Sequence, residues 1–233
     1  MTGAASVDAE VAATLETLRP ELARLARELY DEPEIGFAEH ASAARLAALL
    51  TSHGAEVEVG VFGLPTALRA TFPAADGGAP AAETSDVEAS DVEASDPEAS
   101  APHFAIIAEC DALPGIGHAC GHNIIAGVAV GAFLAAPPPP AVVPQGGPST
   151  DMGNVSRIVP SIHPSIGLGG PDDVFPHNAD FAGLTVLPPA LDALVDAAAA
   201  LVATAVDDVA DPDLRAAAAA EFEASGGPFR GES

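Results

Sequence analysis

The sequence predicts a domain of the α/β class, and three observations carry that expectation. Stretches with helical periodicity alternate with short runs of strand-like character. One apolar run, HFAIIAE at 103–109, is continuous, the pattern of a strand covered on both faces. The chain has 233 residues of which 48% are apolar, enough to bury one good core, or a core plus a small satellite.

The elements follow in order. From Ser6 to Tyr30 the apolar spacing is helical, with Ser6 or Asp8 as the cap and Pro20 placed where it should kink or split the helix. After the turn DEPEIG, residues 37–53 form a second amphipathic helix that stops at Gly54. Two short strands, 56–61 and 66–72, are separated by Gly63 and Pro65. Residues 73–102 carry the repeats SDVEA, SDVEA and SDPEA with almost no large apolar side chain, so they are expected as a disordered acidic insertion. The strand at 103–109 then leads through CDALPGIGHACGH into a helix at 123–134. Four consecutive prolines make 135–148 a stiff extended joint. Beyond it come strand and loop at 155–168, a long Ala/Leu/Val helix at 188–209, and a weak helix after Pro212 that frays. As domains, 1–72 and 149–210 are expected as the two parts of one catalytic domain, 103–134 as the strand and helix around its loop, and 211–233 as a tail.

The charge is lopsided. Eight basic residues, all Arg, face 34 acids, for a net charge of −26. The acidic repeats hold only a small part of that excess, so the acidity extends over the folded part. Nucleic acid and anionic membrane both need a basic footprint and are not expected as partners. Such a surface repels itself at low salt and is tolerated when salt screens it, the signature of a salt-loving organism. A GC-rich genome would explain the missing Lys but not the excess acid. No apolar run of membrane-spanning length and no secretory signal stand out, and two cysteines make no disulfide scaffold, so a cytoplasmic protein is expected.

Chemistry concentrates in HACGH, where His118, Cys120 and His122 lie within five residues. Thiolate and imidazole suit zinc or a similar divalent ion, and a helix N-terminus favours the thiolate. Chance clustering is an equal reading of the cluster taken by itself.

The stretch ECDALPGIGHACGHN, 109–123, resembles the metal-binding loop of the aminoacylase/carboxypeptidase family of dinuclear metallohydrolases. The segment DEPEIGFAEHASAARLAALLTSHGAEVEVGVFGLPTALRATF is similar to that family's N-terminal helix and first strands, and STDMGNVSRIVPSIHP, 149–164, to its late catalytic segment. The nearest flavour is the amidohydrolase branch that contains dipeptidases. The resemblance implies a three-layer α/β catalytic domain of the metallo-exopeptidase type, a Zn or Mn cofactor, and a small amide or dipeptide substrate. It implies Cys120, His122 and His177 as metal ligands, Asp111 as the carboxylate orienting a ligand, and Asp151, Asn154 and Ser156 beside the substrate. Alternatives stand for several of these. Asp111 also suits a loop cap before Pro114, Asp151 and Asn154 suit a turn around Gly153, and His163 competes with His177. His40 and His53 read as surface residues, and Cys110 as a small hydrophobe against the sheet.

Two features of the family are missing. Its hydrolytic water is activated by a Glu in an acidic motif, yet no Glu lies between Glu109 and Glu221. Its ferredoxin-like lid, on the order of 100 residues, is absent, with the joint at 135–148 in its place. The expectation is an internally truncated amidohydrolase or dipeptidase with impaired activity, or a catalytically dead remnant that binds metal or pairs with another protein. Loss of the dimerising lid puts the family's homodimer in doubt.

Overall fold

The computed structural model describes residues 4–72, 104–136, 152–171 and 173–229. The acidic repeats and nearly all of the proline-rich joint at 135–148 lie outside the described residues, as does Asp151. The elements are α1 (Ala4–Asp31), α2 (His40–Ser52), β1 (Glu56–Val59), β2 (Leu68–Thr71), α3 (His122–Ala135), α4 (Met152–Val155), α5 (Ala179–Leu184), α6 (Pro188–Ala210) and α7 (Pro212–Ala224). Helix dominates, with one small antiparallel sheet pairing Glu56 with Thr71 and Val59 with Leu68.

The core lies where α1, α3 and α6 meet. Val11, Leu15, Leu18, Leu22, Leu25 and Leu29 recur every three or four residues along α1 and are all buried, one continuous stripe. This stripe runs past Pro20, so α1 is one helix rather than two; packing on both sides of the proline outweighs the one hydrogen bond it removes. Gly127 and Gly131 of α3 let the three helices approach closely. A Cβ on Gly127 would stand 2.5 Å from Leu194 Cδ1, and one on Gly131 2.8 Å from Leu22 Cδ1.

Helix α6 corrects the expectation that no run is of membrane-spanning length, because its 23 residues are long and apolar enough by length and composition. In this fold its face of Ala190, Leu191, Leu194, Ala198 and Val202 is spent on the core. Helix α7 is capped by Asp211, whose Oδ1 accepts the N–H groups of Asp213 (2.9 Å) and Leu214 (3.1 Å), but it buries no residue.

The expected strand at 103–109 is not paired. Residues 104–111 run without joining a ladder; their chain is caught only just beyond, where Ala112 N–H donates to Glu34 O at 2.6 Å in a parallel bridge to Ile35. A cavity of about 110 Å³, lined by Leu68 and Ala70 on one side and Ile106, Cys110 and Val130 on others, occupies the space beside β2. Ile106 and Cys110 pack against the core, and no described neighbour offers the run a hydrogen-bonding edge.

Helix α2 is capped from a distance. The Glu34 carboxylate accepts from Ala41 N–H (3.0 Å), Ser42 N–H (2.7 Å) and Ser42 Oγ (2.7 Å). Burial works to raise its pKa, but these bonds and the Arg45 charge outweigh burial and hold the carboxyl below its usual range. A depressed carboxylate contributes stability above its unfolded value and loses it as pH falls through the folded one. Glu34→Ala is therefore expected to cost about 1–2 kcal/mol at neutral pH. In urea titrations the gap from the parent protein should narrow on acidification below about pH 4; a gap independent of pH would refute the capping role.

Candidate metal centre

The segment DALPGIG closes on itself before it reaches the helix. Leu113 N–H donates to Gly117 O at 2.9 Å and Gly117 N–H returns to Leu113 O at 3.1 Å. Gly121, at φ +80°, then turns the chain into α3, a backbone conformation that costs a side-chain-bearing residue more than glycine. The first residue of α3 is His122.

Its ring is held from both sides by carboxylates. Nδ1 lies 2.7 Å from Asp111 Oδ1, and Nε2 lies 3.2 Å from Glu109 Oε2. In an extended segment residues two apart point the same way, so Glu109 and Asp111 both reach the imidazole from one stretch of chain. Glu109 and His122 are both buried. Burial disfavours a charged ring, but Asp111 and then Glu109 more than offset it, and the His122 pKa is raised. The reciprocal hydrogen bond from His122 holds the Asp111 carboxyl below the ordinary range despite its burial.

Cys120 lies half-buried two residues ahead. Burial pushes its thiol up, and the Asp111 and Glu109 charges push it further. The helix N-terminus, expected to favour the thiolate, is outweighed by two anions in the same small volume. Cys110 is partly buried against the core as a small hydrophobe, and burial followed by four neighbouring carboxylates pushes its thiol to about 12.

His118 does structural work. It is 1% exposed, and its Nε2 donates to Leu29 O at 2.9 Å, pinning the loop to the end of α1; burial pushes its pKa down. His177 comes close through its backbone: its N–H donates to Ala119 O at 2.7 Å, at φ +68°, while its side chain is exposed. Phe181 of α5 lies 3.5 Å from where a Cβ on Gly121 would stand, so the 177–181 stretch lies against the HACGH loop. His163 is exposed on the irregular run at 160–171, His40 is exposed, and His53 is an exposed partner of Glu21 at 3.2 Å. Asn154 falls in α4, and Ser156 is exposed with Oγ donating to Gly153 O at 3.3 Å.

Cys120, His122 and His177 therefore share a neighbourhood but not a cage. Among the described residues no group of three or more His, Cys, Asp or Glu side chains is arranged to hold a metal ion. Nε2 of His122, which would serve as a donor with Asp111 orienting the ring, faces the Glu109 carboxylate instead. In this arrangement Cys120, His122 and His177 do not converge on one point, and the carboxylates beside His122 offset the burial of its ring.

Sequence reasoning missed Glu109 as a site residue, although a carboxylate ending an apolar run two residues before Asp111 was a usable signal. It also missed Asn123, which is fully buried and whose Nδ2 donates to Ala26 O (3.1 Å) and Thr185 Oγ1 (3.0 Å), tying α3 to α1 and α5. No local pattern marks those contacts.

No family model matches the chain. Over 145 residues it is 33% identical to the Xaa-Arg dipeptidase of Mus musculus, covering 57% of this chain and 29% of that protein. The Xaa-Arg dipeptidase of Homo sapiens is 32% identical over 145 residues, 57% of this chain and 30% of that protein. The chain thus spans less than a third of the length of the curated relatives it matches, and over that span it is similar to these dipeptidases.

Proposed function

We propose that the chain derives from a metal-dependent amidohydrolase or dipeptidase acting on small peptides or N-acyl amino acids, and that its hydrolytic activity is impaired. The observation that carries this reading is the Glu109–His122–Asp111 arrangement inside a loop of dipeptidase-like sequence: Asp111 holds Nδ1 of His122, as a ligand-orienting carboxylate would, while Nε2 is engaged by a second carboxylate. Hydrolysis of an amide also needs a base within reach of the attacking water. The sequence holds no Glu between Glu109 and Glu221 to serve. Cys120, His122 and His177 are the proposed donors for Zn or Mn, with Asp151, Asn154 and Ser156 on the substrate side. Since these donors do not form a cage in the described conformation, no step is derived through an ion.

The test is bound-metal analysis combined with hydrolysis of dipeptides and N-acyl amino acids in high salt. The expected result is sub-stoichiometric Zn or Mn and no turnover above that of the free ion. Metal-dependent turnover that disappears in Cys120→Ala would overturn the impairment. The same result would restore a working hydrolase over the alternative, a catalytically dead remnant that binds metal or pairs with another protein.

A further inference from the structure

We propose that a second copy of this chain pairs with it, antiparallel, through the segment centred on Ile162. The segment stands apart from the rest of the fold. Residues 160–171 run without a turn, a bend or regular pairing, and among the described residues 160–170 form no backbone hydrogen bond. They are nevertheless held at both ends. Arg157 O accepts from Phe229 N–H at 2.7 Å, and the Arg157 guanidinium lies 4.1 Å over the Phe229 ring. At the far end Gly169 lies against Pro189 and Gly170 against Leu184. Between these anchors Ile158, Ile162 and Ile166 are 60%, 56% and 43% exposed.

The order of residues says what fits there. Reading every second position gives Ile158, Pro160, Ile162, Pro164 and Ile166, a row that is its own mirror about Ile162. From Pro160 on, where the chain has no turn or bend, these side chains share one face of an extended chain; Ile158 lies in the preceding turn, its N–H donating to Val155 O at 2.9 Å. A two-fold pair requires that residue i meet j while j meets i. Centring the axis on Ile162 sets Pro160 against Pro164 of the other copy and Ile162 against itself.

The prolines select the edge. Backbone N–H and C=O groups of successive residues point to opposite edges, so Pro160 and Pro164 remove donors from the edge of the even-numbered residues alone. The other edge, carrying Ser161, His163 and Ser165, keeps every donor. In the centred register Ser161 and His163 of opposite copies form the hydrogen-bonded pairs, and the prolines fall at positions where the ladder asks for no donor.

Charge favours the same contact. Residues 152–171 contain no acid and one Arg, in a chain of net charge −26. Two copies meeting here bring no carboxylate against another, whereas most of the remaining surface repels itself. The pairing should therefore strengthen as salt screens the two bodies.

The test is sedimentation velocity and light scattering on the full chain, over a wide protein concentration range, in low and in molar potassium chloride. The expected result is a monomer–dimer equilibrium that shifts toward dimer with salt. Ser161→Pro removes a donor from the pairing edge, and Ile162→Glu sets two like charges face to face on the axis. Both positions are exposed, so each variant should keep its circular dichroism spectrum and urea midpoint. Each should nonetheless lose the dimer, with the apparent dissociation constant raised about tenfold or more. A chain monomeric under all conditions, which would leave this edge to a foreign strand, overturns the proposal. A dimer indifferent to both substitutions, or one that weakens with salt, does the same.

Discussion

Replacing His122 by alanine is expected to destabilise the protein by about 3–5 kcal/mol at neutral pH. The side chains of His122, Glu109 and Asp111 are 9%, 4% and 13% exposed, so the imidazole is the charge partner of two carboxylates that water hardly reaches. In the parent protein the raised His122 value means a contribution fully present below the unfolded ring's pKa and lost as pH rises through the folded one. The depressed Asp111 value adds a contribution present above its unfolded pKa and lost as pH falls through the folded one. Without the ring, the two carboxylates face each other in a poorly solvated pocket and bind protons more readily than in the unfolded chain. The variant's own stability should then rise on going from about pH 7.5 to about pH 5, and urea midpoints at both values would register it. A variant whose stability stays flat or falls between these pH values would mean that the two carboxylates do not face each other once the ring is gone.

What was legible in the sequence was local. The α1 stripe, the stop of α2 at Gly54, the pair of strands and the long α6 all follow from spacing that any window of a dozen residues contains. What was illegible depended on a neighbour distant in sequence. Pro20 reads as a break until Leu18, Leu22 and Leu25 are seen seated on one core. The run at 103–109 reads as a buried strand because apolar continuity is the same whether the flanks supply a ladder or only packing. At the site, Asp111 was legible from its motif, whereas Glu109 looked like the end of a strand. The docking of His177 on Ala119 is a backbone contact 58 positions apart in sequence, and no residue type announces it.

Leu22→Ala should cost about 3–5 kcal/mol, and its coupling to Gly131 makes the prediction specific. Leu22 is 0% exposed, and its Cδ1 stands where a Cβ on Gly131 would come within 2.8 Å. The opposing surface is the bare backbone of α3, flanked by Ala198, whose Cβ would lie 3.3 Å from the same point, and by Leu15 at 3.6 Å. None of these groups can swing in to fill the space that Leu22 vacates, so the hole stays open and the upper part of the range applies. Gly131→Ala in the parent protein forces Leu22 aside and should destabilise it, even though alanine favours helix over glycine by about 1 kcal/mol. In the Leu22→Ala background the new methyl enters vacated space and needs only a small shift at Ala198. The double variant should therefore be more stable than the two single losses added together, by about 1 kcal/mol or more. Urea unfolding of the four proteins measures that coupling directly. Additive losses would mean that α1 and α3 do not meet at these two positions.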